Sequence, residues 1–272
     1  MSNTKPFIRW AGGKSWLIPH VKSIILNLEY RNYYEPFIGG GAIFFSLQQK
    51  KNVYLSDINP ELIDSYISIR DHPNLIIKEL KHYTNTESEY YRIRALEPDN
   101  MIERAARFIY LNQTSYNGLY RVNKKGKYNV PYGHRQNLNY NYDRLRIASQ
   151  KLQKVRIHCE DFSKKKYRIR EGDLIFLDPP YTVSHNNNGF IEYNQNLFSL
   201  DDQKRLSKYI DYIKSKGAYY ILTNAAHNAI KEIFTKEGDS LTPLDRHSLI
   251  GGKKAKRSLI SEYIFTNIPK GV

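Results

Sequence analysis

Leu174-Ile175-Phe176-Leu177-Asp178-Pro179-Pro180-Tyr181 is a run of four apolar residues followed by an acid, two prolines and an aromatic ring. The run is short, continuous and closed by turn residues, so it reads as a strand of a buried sheet. Tyr33–Glu35, Val53–Ser56, Val155–Cys159 and Tyr219–Leu222 read the same way. Helical periodicity follows several of them, at Ala42–Gln49, Pro60–Arg70 and Asp201–Lys214, and Ser199 ahead of Asp202 has the spacing of a helix N-cap. Strands alternating with helices predict an α/β fold with a mainly parallel sheet, whose ligands bind outside the carboxyl ends of the strands. Asp178 lies at such an end.

The alternation breaks between about Ile63 and Ser149. Leu75–Tyr83, Tyr90–Leu96 and Ile102–Thr114 are helical patterns with no convincing strand between them. The Tyr- and Asn-rich stretch Ser115–Tyr142 follows, with Lys124, Lys125 and Lys127 in a basic loop or hairpin. The predicted organisation is a first catalytic part over 1–62, a mainly helical insertion over 63–149 and a second catalytic part over 150–272. The alternating Leu259–Asn267 returns to the sheet as a strand, and 251–257 is a short basic loop.

The 272 residues carry 42 Lys plus Arg against 27 Asp plus Glu, a net charge of +15 that calls for a negative partner. With 23 tyrosines against 2 tryptophans the aromatic content favours nucleic acid over a membrane surface, because tyrosine can stack on a base and hydrogen-bond to phosphate. Cys159 is the only cysteine, which excludes an internal disulfide and a cysteine-cluster zinc site. The eight histidines show no ligand spacing, so no metal is expected. No apolar run is long enough to span a bilayer and Met1–Lys14 lacks the apolar core of a signal peptide, so the expected location is the cytoplasm.

The Asp178–Tyr181 corner has a definite chemistry. Asp178 brings an acceptor-only carboxylate, and the prolines contribute carbonyls without N–H groups on a backbone of restricted φ. A rigid set of acceptors beside an aromatic ring suits an exocyclic NH₂ on a flat heterocycle. The N6 amine of adenine is a poor nucleophile because its lone pair is delocalised into the ring. Hydrogen bonds to Asp178 and to the Pro179 carbonyl would draw that nitrogen toward sp³ geometry, while Tyr181 stacks on the base for about 1–3 kcal/mol.

Two other segments belong with it. Glu35-Pro36-Phe37-Ile38-Gly39-Gly40-Gly41-Ala42 links the first strand to a helix, and its glycines permit close approach of a nucleotide-like ligand. Asp57, at the end of the next strand, is placed to accept from ribose hydroxyls. Trp10-Ala11-Gly12-Gly13-Lys14-Ser15 is not a phosphate-binding P-loop, since the position that needs the first glycine is Ile8. It offers instead a ring that can cover an adenine or a sulfonium and a cation for a carboxylate.

In this order these segments resemble the Dam-like, DpnII-type DNA adenine-N6 methyltransferases, over essentially the whole chain. The resemblance implies a Rossmann-like S-adenosylmethionine-dependent sheet with a helical target-recognition insertion, S-adenosyl-L-methionine as cofactor and double-stranded DNA as partner. It places Trp10, Lys14, Gly39, Gly41, Asp57, Asp161, Phe162 and Asp178 at the cofactor, and Asp178, Pro179 and Tyr181 at catalysis. Tyr116-Asn117-Gly118-Leu119-Tyr120-Arg121 and Asn129-Val130-Pro131-Tyr132-Gly133 match the family's DNA-reading segments, whose members commonly read GATC. Arg121, Pro131, Tyr116, Asn117 and Arg9 are thereby candidates for base or backbone contact, with Lys124 and Lys125 on phosphates. A flipped-out adenine, a monomer and a separate companion restriction endonuclease complete the expectation. The competing readings are a methyltransferase acting on RNA or a protein glutamine, and a non-catalytic DNA-binding relative.

Overall fold

The computed structural model describes residues 5–48, 52–135, 140–164, 168–182, 198–247, 259–269 and 271. The basic loop 251–257 lies outside them. The chain forms two compact units, one of Met1–His20 with Ile38–Glu160, the other of Val21–Phe37 with Asp161–Val272.

The second unit holds strands β1 (Tyr33–Glu35), β4 (Leu174–Leu177), β5 (Tyr219–Ala225), β6 (Ser240–His247) and β7 (Leu259–Thr266). β1, β4 and β5 pair in that order and are parallel; β7 adds to β5 antiparallel and β6 closes that end, antiparallel to β7. All four residues of β4 are buried, as expected of a strand covered on both faces. The register sets Leu177 opposite Leu222, so Asp178 and Thr223 follow side by side. Helix α8 (Leu200–Ser215) begins with a full capping box: the Ser199 hydroxyl accepts the Asp202 N–H at 3.1 Å and the Asp202 carboxylate accepts the Ser199 N–H at 3.0 Å. Helix α9 (Asn228–Phe234) follows β5.

The first unit carries β2 (Val53–Asp57) paired parallel with β3 (Arg156–Cys159), Asp57 facing Cys159 in the register. Between these strands the described residues form the α-helices α3 (Pro60–Asp71), α4 (Pro73–His82), α5 (Glu87–Ala95), α6 (Met101–Thr114) and α7 (Tyr142–Leu152). Four of them have a side-chain cap, from Asn59, Thr86, Asn100 and Asn141, each typically stabilising by about 1 kcal/mol. α6 is the buried spine, with Ala105, Ala106, Phe108, Ile109, Tyr110 and Leu111 all at 1% exposure or less. Among the described residues, the region 63–149 contributes no strand to the sheet, only antiparallel bridges at Ser115–Tyr132 and Val122–Tyr128.

The predicted strands Tyr33–Glu35 and Leu174–Leu177 match residue for residue. Val53–Ser56 extends to Asp57 and Tyr219–Leu222 to Ala225. The C-terminal strand stops at Thr266 because the Asn267 side chain turns back to bond the backbone of Tyr220 and Ala218. β6 was not anticipated, since Ser240-Leu241-Thr242-Pro243 looks like a turn; at the end of the strand order a proline removes only a donor the ladder can spare. α2 (Ala42–Ser46) is shorter than the expected Ala42–Gln49, its chain turning extended at Leu47.

The glycines ahead of α2 answer to packing within the first unit. Gly39 has φ +45°, and a Cβ there would lie 2.8 Å from Trp10 Cδ1. Gly41 has φ +71°, and its Cβ would meet the Tyr66 hydroxyl at 2.6 Å, a group that donates to the Gly39 carbonyl at 3.0 Å. Gly41→Ala is therefore expected to destabilise the chain by roughly 1–3 kcal/mol in urea unfolding, through combined φ strain and overlap, with part of the loss recovered when Tyr66→Phe is added.

Candidate functional site

In the second unit the acid at the end of β4 is oriented by a neighbour that no sequence pattern revealed. The Thr223 hydroxyl, 1% exposed on β5, donates to Asp178 Oδ1 at 2.8 Å. Asp178 itself is half-buried, Pro179 buried and Pro180 exposed. Tyr181 donates its hydroxyl to Glu262, which is 1% exposed on β7, so the ring is held by its far end. The residue after it is pinned too. Thr182 Oγ1 donates to the Phe198 carbonyl at 2.7 Å and accepts from Gln203 Nε2 at 2.9 Å, while Gln203 Oε1 accepts from Asn224 Nδ2 at 3.0 Å. This satisfied buried chain ties the Asp178–Tyr181 corner to α8 and β5.

Asp161 and Phe162 also lie in this unit, organised by Arg205 of α8. Its Nη2 donates to both Asp161 oxygens, at 2.8 and 2.7 Å, and its guanidinium sits 4.8 Å from the Phe162 ring centre. Ser163 adds its hydroxyl and N–H to Asp161 Oδ1 at 2.6 and 3.0 Å. Burial opposes ionisation of Asp161, but the bonds from Ser163 and Arg205 outweigh it and hold the carboxyl below the usual range. The Phe162 ring is 5% exposed and packs with Phe37, Phe198 and Tyr209, so what it can offer a ligand is an edge or its backbone.

In the first unit Asp57 ends β2 with both carboxylate oxygens engaged, Oδ2 by the Gly39 N–H and Oδ1 by the Asn59 N–H, both at 3.1 Å. A carboxylate has about four acceptor directions in all. Burial pushes this carboxyl up, against the pull of the Asn59, Gly39 and Ile58 N–H groups. Ile58 beside it is 73% exposed, an apolar surface next to an acid that the sequence reading passed over. Lys14 is buried at 5% exposure and its ammonium donates to the Gly12 carbonyl at 3.1 Å, among its contacts. Trp10 is half-exposed and stacks on Tyr120, with ring centres 5.7 Å apart and planes 20° from parallel.

The collinear order of these segments has a counterpart across a whole family. The model described as D12 class N6 adenine-specific DNA methyltransferase matches residues 10–246. The chain belongs to that family. Type II methyltransferase M1.LlaDCHI of Lactococcus lactis subsp. cremoris is 34% identical over 276 residues, covering 97% of this chain and 96% of its own. Type II methyltransferase M.MjaIII of Methanocaldococcus jannaschii is 36% identical over 243 residues, covering 81% and 84%. A DNA adenine methylase of Vibrio cholerae is 28% identical over 271 residues, covering 97% and 96%. The chain is thus an adenine-specific DNA methyltransferase of α/β fold, and S-adenosyl-L-methionine is the methyl donor that membership brings with it. The Asp57 carboxylate fits that donor, offering an acceptor for its ribose beside the apolar surface of Ile58.

The methyltransferase carries its candidate DNA-reading residues in the first unit. Tyr116 is 51% exposed and its N–H donates to the Pro131 carbonyl at 2.9 Å, joining the two segments; the Pro131 ring is exposed. Asn117 has φ 54°, a left-handed turn that Asn tolerates, and its side chain is exposed. Arg9 is clamped through its backbone, its N–H donating to Asn112 Oδ1 at 2.8 Å and its carbonyl accepting from Asn112 Nδ2 at 2.6 Å. Burial and the nearby Arg135 both lower its pKa. Arg121 is exposed, with Nε on Asn129 Oδ1 at 2.7 Å and Nη2 on the Asn129 carbonyl at 3.1 Å. Asn129, missed in the sequence, thereby aims the outer edge of the guanidinium away from the hairpin. Lys124 and Lys125 are exposed at the turn, whereas Lys127 is paired with Glu97.

The tyrosines have a second role, and the reading of Cys159 needs correction. Many tyrosines are structural: Tyr90, Tyr110, Tyr128 and Tyr132 donate to the carbonyls of Val130, Thr84, Leu119 and Asn85, pinning the hairpin and its helices. A lone cysteine near a strand end reads from the sequence as a packed small hydrophobe, but Cys159 is exposed, its thiol toward the Ile58 carbonyl at 3.6 Å. Among the described residues no cluster of His, Cys, Asp or Glu could hold a metal ion, and no helix is long and apolar enough to cross a membrane.

The Asp161 clamp has a pH signature. A carboxyl held below its unfolded value of about 3.9 contributes stability above that pH and loses it as pH falls through the folded value. Arg205→Ala is expected to move the Asp161 carboxyl titration upward in NMR and to flatten the acid-side loss of stability between pH 4 and its folded midpoint.

Proposed function

We propose that the chain methylates N6 of an adenine extruded from double-stranded DNA, within GATC. The observation that carries the chemistry is the Asp178 carboxylate, fixed by the Thr223 hydroxyl at 2.8 Å at the end of a fully buried strand. Adenine inside a duplex hides its N6 edge, so the base leaves the stack at a cost of a few kcal/mol. Asp178 accepts one N6–H and the Pro179 carbonyl the other, which localises the nitrogen lone pair. Tyr181, held at its hydroxyl by Glu262, lies against the base. When bound, S-adenosyl-L-methionine supplies an electrophilic methyl group on a sulfonium. Asp57 holds the ribose hydroxyls, Ile58 and Trp10 cover apolar parts of the donor, and Asp161 with Phe162 sits at its adenine. Asp178 then stabilises the positive charge that N6 acquires as it gains the methyl group and before it loses its proton.

The insertion 63–149 presents the target-reading surface in this reading. The excess of lysine and arginine gives sequence-independent affinity through counterion release. Arg121 forks guanine O6 and N7, Tyr116, Asn117, Pro131 and Arg9 contact the duplex around it, and Lys124 and Lys125 meet phosphates. GATC rests on the likeness of Tyr116–Arg121 and Asn129–Gly133 to the family's reading segments. The name Type II methyltransferase on two relatives supports work beside a separate restriction endonuclease. The enzyme acts as a cytoplasmic monomer.

The direct test is tritiated-methyl transfer from S-adenosyl-L-methionine to matched duplexes with and without GATC, followed by digestion to nucleosides. Label in N6-methyladenosine only with GATC is the expected result. Label in both duplexes moves the recognition site, and label in neither redirects the search to RNA or protein acceptors. Asp178→Ala is expected to abolish turnover while duplex affinity stays within a few-fold; near-normal turnover would overturn the mechanism. Arg121→Ala is expected to cost about 1–3 kcal/mol of discrimination at one base pair, whereas a uniform loss over all sequences would make it a phosphate contact.

A further inference from the structure

Tyr120 stands between the two tasks of the first unit. Its ring stacks on Trp10 at 5.7 Å, and Trp10 in turn closes against Gly39 and Gly40. Its hydroxyl donates to Glu61 Oε2 at 2.9 Å. Glu61 lies in the first turn of α3, directly after Asn59, whose N–H aims Asp57 and whose side chain caps the helix. The other Glu61 oxygen accepts from Arg107 Nη1 at 3.1 Å, and Arg107 is anchored through Nε and Nη2 on the carbonyls of Ile93 and Arg94. One side chain therefore touches Trp10 and the helix start that orients Asp57.

Its backbone belongs to the other task. Tyr120 lies between Leu119 and Arg121, directly after the Tyr116–Gly118 turn. The Tyr128 hydroxyl donates to the Leu119 carbonyl at 2.6 Å and the Tyr128 ring meets Tyr120 edge-on at 5.6 Å, so the hairpin and Tyr120 are packed together. A duplex that fixes Arg121 in place fixes the neighbouring ring, and a donor held by Trp10 and Asp57 favours the same placement.

We propose that Tyr120 is a positioning residue that couples duplex recognition to retention of the methyl donor, through its stack on Trp10 and its hydrogen bond to Glu61. The inference rests on the function proposed above and adds a linkage between its two ligands. Such a linkage is reciprocal: whatever factor the duplex contributes to donor affinity, the donor contributes to duplex affinity. One hydrogen bond with a stacking contact corresponds to a factor of roughly 3 to 10.

The test is calorimetric titration of S-adenosylhomocysteine, which lacks the transferable methyl, into the full chain alone, with the duplex that the chain methylates and with an unrelated duplex. The wild-type chain should bind it roughly 3- to 10-fold tighter with its own duplex than alone. Tyr120→Phe keeps the ring and loses the hydroxyl; the ratio should fall toward one while the affinity without DNA changes less than about two-fold. A purely structural role would move the melting temperature or both affinities together and leave the ratio intact. An unchanged ratio in Tyr120→Phe or a wild-type ratio of one overturns the coupling alone. A wild-type chain that binds neither S-adenosylhomocysteine nor any duplex overturns the function beneath it.

Discussion

Parallel pairing of β4 with β5 sets Leu177 beside Leu222, and one residue further on it brings a hydroxyl to a carboxylate, Thr223 to Asp178. A slip of one residue along β4 would turn Asp178 to the opposite face of the sheet, and one along β5 would turn Thr223 away from it. The Asp178–Tyr181 corner is held from three directions after that: Pro179 restricts the backbone, Glu262 takes the Tyr181 hydroxyl, and Thr182 joins Gln203 and Asn224 in a buried polar chain. A half-satisfied chain of this kind would cost more than an apolar core, so its completeness is what makes the corner rigid.

Asp57 is placed on a different plan. Asp57 is steered by backbone N–H groups from Gly39 and Asn59. Packing of Trp10 and Tyr66 fixes the glycines ahead of α2, so a run whose composition points to ligand contact is also a packing requirement of the first unit. Both demands are met by the same absence of a side chain.

Strands made of uninterrupted apolar residues, such as Leu174–Leu177, were legible in the sequence because burial on two faces leaves no room for polar residues. The Asp178, Asp57 and Trp10 segments were legible because each joins a strand end or turn to a distinctive residue. Thr223, Glu262, Gln203 and Arg205 were not. Each acts through a partner distant in sequence, and a threonine in a strand or an arginine in a helix carries no local mark of the contact it will make. The tyrosine excess pointed to nucleic acid, and part of it also serves the fold. Phenol groups that donate to Val130, Thr84 and Leu119 carbonyls do a capping task for irregular backbone, and composition cannot separate that from stacking on bases.

The hairpin of β6 and β7 ends the strand order with Pro243 set in β6, opposite Tyr263. An unpaired outer strand is a template on which another polypeptide can align its own backbone, and a missing amide hydrogen interrupts that template midway. Among the described residues, the last strand of the order therefore carries its own break in such a template, at Pro243.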